Sequence, residues 1–149
     1  MPSANELKNQ GLAHFRAGRF DPAIALFEQA QQACMAESDI VQAAECANNR
    51  GVAARQAGAL EPAQRACTEA RALFQQSGDK KSEGQVVGNL GALAESLNQN
   101  EQAVALYKEA VALFEEAGAP NLAGDTWRAL SRLRLKQGQW FAALGAYDA

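Results

Sequence analysis

A register of forty residues runs through this chain. Asn9-Gln10-Gly11 is followed by Gly18-Arg19-Phe20 and then by Ala23, Phe27 and Ala30. The pattern returns as Asn49-Arg50-Gly51, Gly58-Ala59-Leu60, Ala63, Cys67 and Ala70, and again as Asn89-Leu90-Gly91, Asn98-Gln99-Asn100, Ala103, Tyr107 and Ala110. A fourth copy keeps Gly138, Trp140, Ala143 and Tyr147, with Ser131 in the place of the glycine. No insertion or deletion breaks the register between Gly11 and Tyr147. A fixed period of this length describes stacked units, each unable to bury its apolar face without a neighbour.

Within each period the apolar spacing is helical and broken once by a turn. Leu7, Gly11, His14 and Phe15 share one face of a first helix, and Gly18 ends it. Asp21-Pro22 is expected to open the second helix, with Asp21 as cap and the proline in the first turn. Ser38-Asp39 and Ser77-Gly78-Asp79 separate units, and Gly118-Ala119-Pro120 makes the last break. Asn98 stands where glycine is expected, and asparagine is the next best residue in a left-handed turn. The units run over about 4–39, 40–79, 80–119 and 120–149, within one domain spanning 1–149. The fold class is all-α, with seven to eight helices in antiparallel pairs and no strand signal.

Residue size explains the spacing. Gly11, Gly51 and Gly91 in the first helix face Ala23, Ala63 and Ala103 in the second, and such small residues let two backbones approach. Phe27, Tyr107 and Tyr147 fill the space beside that contact, and Ala30, Ala70 and Ala110 suit close approach to the next pair.

Composition excludes several classes of function. The hydrophobic fraction of 48% belongs to a globular chain, and a net charge of −3 argues against nucleic acid as a partner. No apolar run approaches the ~18 residues of a membrane helix, and the start Met1-Pro2-Ser3-Ala4-Asn5-Glu6 does not resemble a secretory signal. Cys34, Cys46 and Cys67 lack paired-ligand spacing and read as free thiols of a cytoplasmic protein, although Cys34 and Cys46 could approach one another. His14 has no acid–base partner near it in sequence and reads as a packing residue. Gly84-Gln85-Val86-Val87-Gly88 follows no strand, so it is no phosphate loop. No catalytic, metal or cofactor constellation is expected, and the chain is not read as an enzyme.

The small-residue and aromatic pattern resembles the tetratricopeptide repeat, most closely in the first and third copies. The usual repeat has about 34 residues and a proline near its end. This chain has forty and lacks that proline, like the longer repeats of kinesin light chains and LGN-type scaffolds. The resemblance implies a right-handed superhelical solenoid whose concave groove is lined by the first helix of each pair and holds a peptide or helix of another protein. Carried over to this sequence, the groove positions include Lys8, Asn9, Asn48, Asn49, Arg55, Asn89, Arg128, Arg132 and Lys136.

Asn9, Asn49 and Asn89 are the most distinctive of these. Asparagine is a mediocre helix former, and its amide offers both a donor and an acceptor to an extended backbone. The alternative is that each amide bonds a neighbouring helix and maintains the superhelix. Arg55, Arg128 and Arg132 add a basic character suited to carboxylates on an acidic partner. Trp140, Phe141, Leu144 and Tyr147 form an apolar end expected to self-associate, giving a homodimer through the fourth unit. Three functions follow as expectations: an adaptor binding a partner segment, a self-assembly module, or the peptide-sensing part of a larger bacterial-type regulator.

Overall fold

The computed structural model describes residues 1–138. Seven helices follow one another: α1 (Ala4–Arg16), α2 (Phe20–Ala36), α3 (Ile40–Gln56), α4 (Leu60–Ser77), α5 (Lys80–Ser96), α6 (Asn100–Glu116) and α7 (Pro120–Lys136). The described part is all-helical and forms a superhelical repeat in which each helix packs chiefly on the one before and the one after. No described helix is long and apolar enough to cross a membrane.

The turns have half the period of the sequence pattern. Gly18, Ser38, Gly58, Gly78, Asn98, Gly118 and Gly138 all have positive φ, one every twenty residues. At six of these turns the following N–H bonds back to a carbonyl five residues earlier, from Arg19 to His14 through to Ala119 and Phe114, at 2.8–3.2 Å. This bond satisfies carbonyls that the helix end leaves free. Asn98 takes the left-handed conformation expected of it, and Ser38 does so as well.

From α1 to α6 the helix starts alternate in kind. Ser3, Asp39 and Asp79 cap α1, α3 and α5 by accepting from Glu6 N, Gln42 N and Ser82 N at 3.1–3.2 Å. The expectation that Asp21 caps α2 is not met. The cap is Arg19, which makes no side-chain bond, and Asp21 lies in the first turn. There its charge favours the positive end of the helix dipole.

Glycine positions in the first helices accommodate side chains of the second, rings at Gly11 and Gly91 and a sulfur at Gly51. A Cβ at Gly11 would lie 2.7 Å from the Phe27 ring, and one at Gly91 2.8 Å from the Tyr107 ring. At Gly51 it would meet Cys67 Sγ at 2.6 Å, with the Ala63 carbonyl 3.4 Å away. Gly84 makes the same kind of seat for Phe114. Ala23, Ala63 and Ala103 are fully buried beside these seats, as are Ala30, Ala70 and Ala110.

Side chains at the inter-unit contact change along the stack. Cys46 and Ala53 of α3 correspond in register to Val86 and Leu93 of α5, and Leu90 and Leu93 to Leu130 and Leu133 of α7, all buried. The matching positions in α1 are Glu6, Gln10 and Ala13, all exposed.

Candidate functional site

Residues of the first helices α3, α5 and α7 line one surface. A hollow of about 560 Å³ opens there, walled by Asn48, Gln85, Asn89, Asp125 and Arg132, with Tyr107 and Phe114 reaching in from α6. A second hollow of about 410 Å³ shares Ala92, Tyr107, Ala129 and Arg132 with the first and adds Arg55, Glu95, Ser96 and Lys136. The two form one continuous groove.

Asn48 is the notable wall residue. Its Oδ1 is shielded from solvent and has no hydrogen-bond partner. A buried acceptor left unpaired costs about 1–3 kcal/mol, so such groups call for an explanation. Asn89 lines the same hollow, whereas Asn49 is half-buried and Asn9 exposed on α1, neither on this wall. The two asparagines that line this hollow are Asn48 and Asn89. Hydrogen bonds that tie helices together on this side run from Lys8 to Gln42 and Glu45, and from Tyr107 to Glu95.

The basic residues divide into two sets. Lys8 is spent on Glu45, 2.8 Å away, and Arg128 on Asp125 of its own helix. Arg55, Arg132 and Lys136 make no ion pair among the described residues and gather in the second hollow. Arg132 also borders a third hollow, of about 470 Å³, with Arg128, Ser131 and Leu135.

Tyr107 connects these features. Its ring fills the seat at Gly91, and its hydroxyl donates to Glu95 Oε1 at 3.0 Å. Burial pushes its pKa up to about 12, helped by the Glu95 charge and hydrogen bond, while Arg55 and Arg132 pull it back. Arg55 and Arg132 line the second hollow together with Tyr107. From sequence Tyr107 reads as a packing residue. The signal for more is the hydroxyl itself, since Phe27 and Cys67 hold the same register without one and a buried tyrosine hydroxyl requires a partner.

Elsewhere, His14 Nδ1 accepts from Arg19 Nε at 2.9 Å on the surface of α1. Cys34, Cys46 and Cys67 are buried free thiols. No cluster of metal-ligating side chains occurs among the described residues. Trp140, Phe141, Leu144 and Tyr147 lie outside the described residues.

Residues 85–116, which cover most of α5 and α6, match the tetratricopeptide repeat family model. No curated protein matches the sequence. Among solved structures, BtubC (BKLC) from P. vanneervenii superposes with a TM-score of 0.84 at 22% identity, over 97% of this chain and 60% of that one. Aspartyl phosphate phosphatase F from Bacillus subtilis gives 0.86 at 17% identity, over 95% of this chain and 37% of its own. The apo form of RapI gives 0.87 at 16% identity, over 95% and 40%. This chain thus spans less than two thirds of each of these three. The likeness is one of fold.

Proposed function

Starting from a chain that is a helical-repeat protein of the tetratricopeptide type, we propose that the groove across α3, α5 and α7 holds an extended segment of a partner protein. The supporting observation is the unpaired Asn48 Oδ1 on the wall of that groove. An Asn48 amide that turned this oxygen into the polar hollow would meet a ligand's N–H, and a peptide backbone brings one at nearly every residue. Asn89 and Gln85 stand on the same wall with both donors and acceptors. Tyr107, Phe114 and Leu122 supply apolar floor for side chains, and Arg55, Arg132 and Lys136 favour an acidic segment. On this reading the chain is an interaction module.

Random peptides displayed on phage and selected on the immobilised protein test the reading. Selected peptides are then titrated against wild type, Asn48→Ala and Asn89→Ala by fluorescence anisotropy. Each variant should lose about 0.5–1.5 kcal/mol of affinity. Unchanged binding in both, with loss instead in Gln64→Ala or Gln102→Ala on the second-helix side, would place the peptide in the hollow between α4 and α6 and overturn the proposal.

A further inference from the structure

Resting on the groove reading, we infer that the end of the groove formed by Arg55, Arg132 and Lys136 is a seat for a doubly charged phosphoryl group on the bound segment. Three cations from two helices, α3 and α7, open into one hollow of about 410 Å³. Among the described residues the one acid lining it is Glu95, which is already engaged by the Tyr107 hydroxyl. The other hydroxyl, of Ser96, donates to the Ala92 carbonyl.

The groups left uncommitted are therefore nitrogen donors, and an acceptor-rich ligand suits them. Three cations against one carboxylate also leave an excess of positive charge that a single carboxylate does not balance. A phosphorylated side chain carries about −1.5 to −2 near neutral pH and three acceptor oxygens. Guanidinium forks match that geometry, and the ammonium of Lys136 adds a point charge.

The placement fits a peptide rather than a free anion. Through Ala92, Tyr107, Ala129 and Arg132 the seat is continuous with the hollow walled by Asn48 and Asn89. A backbone lying against those amides can project one side chain into the seat. Arg128 does not belong to the seat, since it is held by Asp125 and does not line this hollow.

The test uses three peptide libraries with degenerate flanks and one fixed central residue: phosphoserine, serine or glutamate. Each is titrated against wild type, Arg55→Gln, Arg132→Gln, Asn48→Ala and, as a control outside the groove, Arg65→Gln. Circular dichroism confirms that the variants, all at surface arginines apart from Asn48, are folded. The phosphoserine library should bind about tenfold more tightly than the other two. Arg55→Gln and Arg132→Gln should remove that preference, Asn48→Ala should weaken all three libraries alike, and Arg65→Gln should change nothing. Equal binding of the three libraries, all weakened by Asn48→Ala, leaves the groove reading standing and overturns the phosphoryl seat. So does a preference that survives both arginine variants, or glutamate binding as tightly as phosphoserine. Binding of none of the libraries removes the seat and the groove reading together.

Discussion

Arg71 on α4 pairs with Glu109 on α6, one period after Gln31 on α2 donates to Glu69 on α4. The donors are forty residues apart and so are the acceptors. The repeat thus conserves a polar bond between successive second helices while the donor changes from amide to guanidinium. Glu69 collects a second bond, from Arg50 of α3.

A double-mutant cycle on Arg71→Ala and Glu109→Ala should give a coupling of about 0.5–1 kcal/mol, because both side chains are part-exposed. Urea unfolding at low salt and near 1 M salt should show most of the coupling screened away. A coupling that survives high salt undiminished would mean that the pair contributes through packing instead.

Burial of Glu69 works to raise its pKa, but the hydrogen bonds from Gln31 and Arg50 outweigh it and leave the value lowered. A carboxylate with a depressed folded pKa stabilises the fold above its unfolded value and loses that contribution as pH falls through the folded one. Glu69→Gln should therefore flatten the decline of stability below about pH 4.5. The effect should stay below about 1 kcal/mol, since the side chain is half exposed.

The ring seats give opposite signs at neighbouring glycines. Gly91→Ala places a Cβ against the Tyr107 ring and should cost about 1–3 kcal/mol through overpacking. Gly88→Ala meets nothing within 4 Å and should gain about 0.5–1 kcal/mol from helix propensity. Gly51→Ala should be destabilising alone and largely rescued by Cys67→Ala, which removes the sulfur it strikes. Thermal melts of the three backgrounds decide the matter, and equal shifts for Gly88→Ala and Gly91→Ala would refute the seat.

Glycine spacing made the helix pairs and their stacking legible in the sequence. It left open what each glycine faces: Gly11 and Gly91 receive rings, which residue size alone does not separate from close backbone approach. Ser38 was legible as a turn but not as a left-handed position, because serine seldom adopts one. Ser38→Gly should accordingly stabilise the protein by about 0.5–1 kcal/mol, the reverse of the usual effect of introducing glycine. In the site, Arg55, Arg132 and Asn89 were readable from register. The Asn48 preference over Asn49 was not, since adjacent helical positions differ by about 100° and only the packed neighbours decide which one faces the hollow.

Buried thiols set the alkaline behaviour. Burial raises the pKa of Cys67 to about 11 and that of Cys46 to about 12. A group whose folded pKa exceeds its unfolded value contributes stability that is fully present below the unfolded pKa, near 9, and lost as pH rises through the folded one. Stability should thus fall between about pH 9 and 11 with a slope near 1.4 kcal/mol per pH unit for each buried thiol. Cys67→Ala should reduce that slope. A slope identical to wild type would show that Cys67 does not titrate differently in the two states.

Asn48 separates a structural residue from a binding one. In the free protein its unpaired Oδ1 is a cost, and Asn48→Ala removes the acceptor together with that cost. Alanine is also the better helix former by several tenths of a kcal/mol. The variant should therefore be more stable than wild type by about 1 kcal/mol in urea unfolding. It should at the same time bind selected peptides more weakly, because the partner's N–H loses its acceptor. Asn89→Ala, which lacks an orphaned buried atom, should lose affinity with a smaller gain in stability. Stability and affinity moving in opposite directions at Asn48 is the signature of a group kept for a ligand. A loss of stability in Asn48→Ala would instead mean that the amide supports the packing of α3 on its neighbours, and the groove would lose its main support.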